Sequence, residues 1–340
     1  MPYRLSILDK AIIPASLAPE LSLKRTIDLV VRAEELGYHR YWFAEHHGMG
    51  ALGSSAPEVL AAYALARTDR IRIGSGGVML QHYAPFKVAE TFNLLSALAP
   101  GRVDLGIGKA PGGLPRATRA LRANQVGAAP QDFADKLRDL NAFVTRTLPE
   151  DHALAGALAS PVPAEAPRRI LLGASPDSAA LAGELDWDFC YAGHFDGDPA
   201  RTAHAVDVYR RATGRSPLLS LVAFAAASED EARQHVGPLR LYRVRLSTGE
   251  KVNLPTIEAA AEFARQSGVD DYTTEEIIPN VLSGTGAQIR AALDEIHATL
   301  GIDEFVIDTP VVGHAERRSS LEYLAAAVLR DPAVRQAEAA

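Results

Sequence analysis

The chain reads as an α/β protein, a closed (β/α)8 TIM barrel, and three observations carry that reading. Short apolar runs rich in β-branched and aromatic residues alternate with helix-length segments, which predicts a parallel sheet with right-handed crossovers. Eight such units are present, the number that closes into a barrel. Several of the apolar runs end in polar or glycine-rich clusters, the place where a parallel barrel assembles a site from different strands. A doubly wound open sheet is the competing architecture. It usually carries a Gly-rich turn after its first strand, whereas here that turn reads Asp9-Lys10-Ala11-Ile12-Ile13-Pro14.

The elements follow in order. Arg4–Leu8 is the first strand. Glu20–Leu36 has helical periodicity, with Leu21, Ile27, Val30, Val31 and Ala33 near one face and Gly37 as the stop. Arg40–Ala44 is the second strand, and Pro57–Thr68 a helix with proline in its first turn. Ile71–Gly74, the helix Pro85–Leu98 and the strand Val103–Ile107 come next, then a Gly/Pro loop and the helix Asp132–Thr147. The Ala/Pro-rich stretch Pro149–Arg169 reads as a surface linker within one domain. The pattern resumes with strand Arg169–Leu172, helix Asp177–Leu185, strand Asp188–Ala192, helix Pro199–Thr213, strand Leu218–Ala226 and helix Glu229–Arg243. Leu246–Ser283 lacks clear periodicity and is expected to be an insertion or lid between the seventh and eighth strands. Gln288–Leu300, the strand Glu304–Asp308 and His314–Leu329 complete a single domain over residues 1–340.

Composition narrows the function. A net charge of −7 with scattered basic residues argues against nucleic-acid binding. The single cysteine, Cys190, excludes an internal disulfide framework and suits a reducing compartment. The start has no apolar signal segment, and the longest nearly apolar run, about residues 217–227, is too short to span a bilayer. The expectation is a cytoplasmic enzyme acting on small molecules.

Four clusters carry chemistry. Glu45-His46-His47 closes the second strand; successive residues on a strand face opposite ways, so only one imidazole aims into a barrel mouth. Adjacent histidines lack the His-x-His spacing of a barrel metal site, and no metal is expected. Ser75-Gly76-Gly77 follows the third strand, where two glycines let the backbone approach a flat ligand or form an ordinary bulge. Gly106-Ile107-Gly108-Lys109-Ala110-Pro111 lacks the third glycine of a dinucleotide fingerprint and follows the fourth strand, but a Gly-rich turn with a lysine can hold one phosphate. Leu172-Gly173-Ala174-Ser175-Pro176-Asp177-Ser178 leads a strand into a helix. It offers an N-cap and a second hydroxyl at a helix start, which suit both capping and phosphate binding.

Taken in order, Tyr41 to His47, Gly74 to Leu80 and Pro100 to Gly108 resemble the bacterial luciferase-like monooxygenases, specifically their single-chain group. The resemblance continues through Leu171 to Ser175, His194-Phe195 and Arg317 to Ser320, and so covers nearly the whole chain. It implies a (β/α)8 barrel that takes FMN as FMNH2 from a separate flavin reductase, adds O2 at the flavin C4a position and oxidises a small organic substrate. By matched position it implies His46 as the catalytic histidine and Gly76-Gly77 as a non-prolyl cis peptide under the flavin ring. It also implies Lys109 in place of a phosphate-binding arginine, and Ser175 and Ser178 as phosphate contacts. A homodimer is implied as well. The chain departs from the family at Lys109, a point charge instead of a guanidinium fork, and at Asp186-Trp187, where a Gly-Leu turn is usual.

Three functions fit. The leading one is an FMN-dependent monooxygenase. The second is an F420-dependent hydride-transfer oxidoreductase on the same barrel, and the third a non-catalytic flavin-binding or companion subunit. Retention of His46 and Lys109 speaks against the third.

Overall fold

Strands and helices alternate along the computed structural model, which describes residues 3–123, 131–193 and 198–329. The first half comprises β1 (Arg4–Asp9), α1 (Pro19–Leu36), β2 (Arg40–Phe43), α2 (Pro57–Leu65), β3 (Arg72–Ser75), β4 (Val78–Met79), α3 (Pro85–Leu98), β5 (Val103–Gly108), α4 (Pro115–Leu121) and α5 (Phe133–Thr145). The second half begins with β6 (Arg168–Gly173), α6 (Pro176–Glu184), β7 (Asp188–Ala192), α7 (Pro199–Thr213), β8 (Leu218–Ala226) and α8 (Glu229–Val236). It continues with β9 (Leu241–Leu246), β10 (Lys251–Leu254), α9 (Ile257–Ser267), β11 (Tyr272–Ile277), β12 (Leu282–Thr285), α10 (Gly286–Leu300), β13 (Glu304–Asp308) and α11 (His314–Val328).

The sheet closes on itself. β1, β2, β3, β5, β6, β7, β8 and β13 pair in that order, every pair parallel, and β13 returns to β1 through Arg4↔Glu304 to Leu8↔Asp308. β4 adds to β5 beyond the end of β3, and β12 adds to β8. The expected barrel is therefore present.

Strands of such a barrel are buried on both faces, so they read as continuous apolar runs. On β2, Tyr41 and Phe43 pack outward with the helices, while Trp42 and Ala44 join Leu8, Ile170, Leu172, Cys190 and Val306 in a separate apolar layer that fills the barrel interior. Beneath that layer, at the strand N-termini, lies a charged floor. Buried Arg40 donates to Asp104 at 2.9 Å and to Glu304 at 2.7 Å, Arg72 donates to Asp104 at 2.6 Å, and Trp42 Nε1 reaches the same carboxylate at 2.9 Å. Helix ends follow local chemistry: Gly37 stops α1 in the left-handed region at φ +90°, and Thr285 with Gln288 forms a capping box on α10.

The insertion differs from its sequence reading in extent and order. The expected helix Glu229–Arg243 ends at Val236, because Gly237-Pro238 breaks it, and Leu241–Leu246 is already a strand. That strand, β9, joins β10 and β11 from the span read as aperiodic in a three-stranded antiparallel sheet, β10-β9-β11, with α9 against it. Val244, Leu246, Leu254, Ala260 and Phe263 form its small core, which also takes in Met49 after β2 and Leu114 after β5. The insertion is thus seated on two loops from the C-terminal ends of barrel strands. α4, absent from the sequence reading, meets α9 through Arg119, which donates to the Gln266 carbonyl at 3.1 Å, and through the Arg116 N–H, which donates to Gln266 Oε1 at 2.9 Å. No described helix is long and apolar enough to cross a membrane.

Candidate active site

His46, Ser75, Gly76, Gly77, Lys109, Ser175 and Ser178 lie at or just beyond the C-terminal ends of β2, β3, β5 and β6, four neighbouring strands of the ring. His194 and Phe195 lie outside the described residues.

At the end of β2, Glu45 is 1% exposed yet carries a carboxylate, so its oxygens need donors. Oε1 accepts from His47 Nε2 at 2.6 Å and from the Tyr83 hydroxyl at 2.8 Å, and Oε2 accepts the Met79 N–H at 3.0 Å. Because an ionised carboxylate only accepts, the hydrogen on His47 sits on Nε2. His47 also donates its backbone N–H to Gly112 at 2.7 Å and meets the His82 ring edge-on at 5.9 Å. His82 Nε2 contacts the Pro111 carbonyl at 2.7 Å, and Arg122 contacts Gln81 Oε1 at 2.7 Å. Burial pushes Tyr83 well above the usual phenol range, and neighbouring Glu45 adds to it. Burial likewise raises Glu58, with Glu45 adding to the effect, and lowers His82. His47 is therefore a wall residue that ties the loop after β2 to those after β4 and β5. His46, half-buried, has the same parity as the inward-facing Trp42 and Ala44, and its backbone N–H bonds the Ser54 carbonyl at 2.8 Å.

Tyr83, His82, Glu58 and Arg122 were not singled out in the sequence. Only Gln81-His82-Tyr83, polar and aromatic between a strand and the Pro85 helix start, could have signalled part of the set.

The Gly76–Gly77 peptide is cis. The register Phe43↔Ser75 sets it beside Glu45, and the Gly76 N–H bonds the Phe43 carbonyl at 2.8 Å. A Cβ on Gly76 would come 2.6 Å from Leu8 Cδ1 and 3.0 Å from Trp42 Cβ, so the glycine lies directly on the interior apolar layer. Ser75 is fully buried; its hydroxyl donates to the Gly106 carbonyl at 2.8 Å and accepts the Gly106 N–H at 3.1 Å. It stitches β3 to β5, so its hydroxyl is occupied within the barrel wall.

Lys109 and the serines follow neighbouring strands of the sheet. Gly108 pairs with Leu172, so the loop carrying Lys109 leaves the barrel beside the loop carrying Ser175. Lys109 is exposed, lies over the Phe133 ring at 5.9 Å, and has no carboxylate partner among the described residues. Ser175 caps α6 by accepting the Ser178 N–H at 3.2 Å, and the two hydroxyls are 3.1 Å apart. A Cβ on Gly173 would fall 2.5 Å from Ser178 Cβ, so only glycine lets this turn fold back so tightly. A lysine, two hydroxyls and a helix N-terminus fit a phosphate group.

Two other features settle local questions. Asp186 adopts φ +55°, the conformation a glycine would take, which Asp tolerates better than most residues; buried Trp187 then bonds Asn141 Oδ1 at 2.9 Å. Burial pushes the Cys190 thiol far up, so it is an inert core residue. Among the described residues, no three His, Cys, Asp or Glu side chains are grouped to hold a metal ion.

Comparison with known proteins accords with this geometry. The family profile "Luciferase-like monooxygenase" matches residues 4–304. The N-acetyl-S-alkylcysteine monooxygenase of Bacillus subtilis (strain 168) is 38% identical over 330 residues, covering 96% of this chain and 98% of that protein. The crystal structure of apo-MsnO8 superposes with a TM-score of 0.76 at 31% identity, covering 97% of this chain and 99% of the other. The oxygenating constituent of 3,6-diketocamphane monooxygenase from Pseudomonas putida, solved in complex with FMN, shares the fold with a TM-score of 0.69 at 18% identity, covering 96% of this chain and 97% of the other. A closed parallel barrel with its polar clusters at the C-terminal strand ends and a family match over nearly its whole length make this chain an enzyme of the luciferase-like monooxygenase family.

Proposed function

We propose that the protein is an FMN-dependent monooxygenase whose substrate is a small S-alkylated, N-acylated amino acid. The observation that supports the flavin reading is the pairing of Gly108 with Leu172, from which the loop carrying Lys109 and the turn carrying Ser175 and Ser178 leave neighbouring strands at the same end of the barrel. The substrate class is supported by the 38% identity to the N-acetyl-S-alkylcysteine monooxygenase over 98% of that protein.

Reduced FMN, supplied by a separate reductase, provides the two electrons with which one oxygen atom of O2 enters the substrate and the other leaves as water. The chain's residues do the rest. Lys109 and the two serines anchor the phosphate, and the Gly76–Gly77 backbone supports the ring next to the interior apolar layer. The inserted sheet limits water at the mouth. His46 moves a proton at the reacting centre, a task for which an imidazole carries both a donor and an acceptor nitrogen.

Two measurements test this. Reaction under labelled dioxygen with FMNH2 and N-acetyl-S-alkylcysteines is expected to put one labelled atom into the product; product without label, or hydride transfer from reduced F420, overturns it. Lys109→Ala is expected to weaken FMN binding by about 1–3 kcal/mol, the loss of one charge-assisted contact. An unchanged dissociation constant removes Lys109 from the site.

A further inference from the structure

At the opposite end of the barrel, a cleft of about 740 Å³ opens between the strand N-termini. It is about one strand length, some 17 Å, from Lys109 and Ser175. Four barrel strands open on an arginine, Arg4, Arg40, Arg72 and Arg168, and these line the cleft together with Arg70 and Arg215.

Most of this charge is used internally. Arg40 and Arg72 hold Asp104 and Glu304 in the floor. Arg168 and Arg215 both hold Asp188. Glu34 accepts from the N–H groups of Asp69, Arg70 and Ile71 at 3.0, 2.6 and 2.9 Å. Against the effect of burial, these bonds and the Arg70 charge hold its carboxyl below the ordinary value, although no side-chain ion pair joins Glu34 and Arg70. Asp303, well exposed, lies 3.9 Å from His297. What remains is Arg4 and Arg70, neither in a side-chain ion pair among the described residues. Both are exposed at the rim of a cleft in a chain whose net charge is −7.

The ladder fixes their spacing. The His39 N–H bonds the Leu5 carbonyl at 2.8 Å and the Arg72 N–H bonds the His39 carbonyl at 3.3 Å, so Arg4 opens β1, His39 leads into β2 and Arg70 leads into β3, three neighbouring strands. Two inter-strand steps set the strands these arginines lead into about 10 Å apart, a span that two long guanidinium side chains can close around one oxyanion. Arg4 already contacts His39 Nε2 at 3.4 Å.

We propose that this cleft is a second anion site, in which Arg4 and Arg70 grip the phosphate or diphosphate group of a small molecule across His39. Bidentate guanidinium contacts favour phosphate over a spherical anion. His39 reports the occupancy. Burial, then Arg40 and Arg4, push its pKa down to about 4, against Glu304 and Asp104, which raise it. An anion bound beside it raises that value, so binding takes up a proton and tightens as pH falls.

The test is calorimetric titration of the whole chain with inorganic pyrophosphate. Saturable binding is expected in the wild type and in Lys109→Ala. It is expected to be at least tenfold weaker in Arg4→Ala/Arg70→Ala and partly restored in Arg4→Lys/Arg70→Lys, with melting temperatures confirming that each variant folds. In parallel, the His39 ring resonances are followed through a pH titration with and without sulfate, whose charge is constant over the range; the midpoint is expected to rise from near 4. No saturable binding in the wild type, loss of binding in Lys109→Ala with retention in the arginine pair, or an unmoved His39 midpoint each overturns the proposal.

Discussion

Tyr83 donates its hydroxyl hydrogen to Oε1 of buried Glu45 at 2.8 Å, the oxygen that also accepts from His47. Removing one donor from a carboxylate that retains two others is expected to cost about 1–2 kcal/mol. Tyr83→Phe therefore lowers the denaturant midpoint at unchanged slope. Glu45→Gln costs more, roughly 2–3 kcal/mol, because an amide NH2 would face a hydroxyl or N–H donor. If urea titration ranks the two the other way, the carboxylate is not the hub of this wall.

His46 and His47 are expected to separate in kinetics. His46→Ala reduces product formed per FMNH2 consumed by about 10²–10⁴-fold in turnover, the usual loss for a general acid or base, with flavin affinity nearly intact. His47→Ala chiefly lowers stability, since it strips Glu45 and the Gly112 loop of a partner. Wild-type coupling in His46→Ala would exclude it as the proton-transfer residue.

The charged floor gives a pH signature. Burial alone would raise Asp104, but Arg40 and Arg72 outweigh it and hold the carboxyl below its ordinary value. A group whose folded pKa is depressed stabilises the fold above its unfolded value, about 3.9, and loses that contribution as pH falls through the folded one. Melting temperature is expected to drop steeply below about pH 4. Asp104→Asn flattens that slope and costs about 3–5 kcal/mol at neutral pH by stripping Arg72 of its carboxylate and leaving Arg40 with Glu304 alone.

Exposed Val59 and Tyr63 on α2 and Leu94 and Leu98 on the neighbouring α3 form an apolar surface of the kind that marks an interface. A homodimer is expected to bury it, and light scattering is expected to return twice the 36.3 kDa of one chain. Leu98→Glu, at the most exposed of the four, is expected to weaken association by about 2 kcal/mol or more. Monomeric wild type at micromolar concentration rejects the dimer.

What the sequence disclosed depended on burial. The eight barrel strands stood out because both their faces are covered; β2 and β8 are buried at every position and, Arg40 and Ser220 apart, read as apolar runs. β11 escaped notice because five of its six residues are exposed, and α4 because none of its seven is buried. The strand-end motifs were legible as motifs, since each is contiguous in the chain. The wall around Glu45 was not, because Tyr83 is 38 positions away and nothing local ties the two. The arginines that open four strands were visible but uninformative until the ring placed them together.

Closure of the ring has a consequence for biosynthesis. β1 completes its ladder only with β13, whose first residue pairs with Arg4 across 300 positions of chain. A nascent polypeptide emerging from the ribosome thus carries β1 and the Leu219–Val222 part of β8 as unpaired edges until Glu304–Asp308 is made, exposed to aggregation meanwhile. A product truncated before Glu304 lacks the carboxylate that Arg40 needs and the strand that joins the two edges. Chaperone dependence during synthesis, followed by abrupt release when the last strand docks, is the behaviour such a topology imposes.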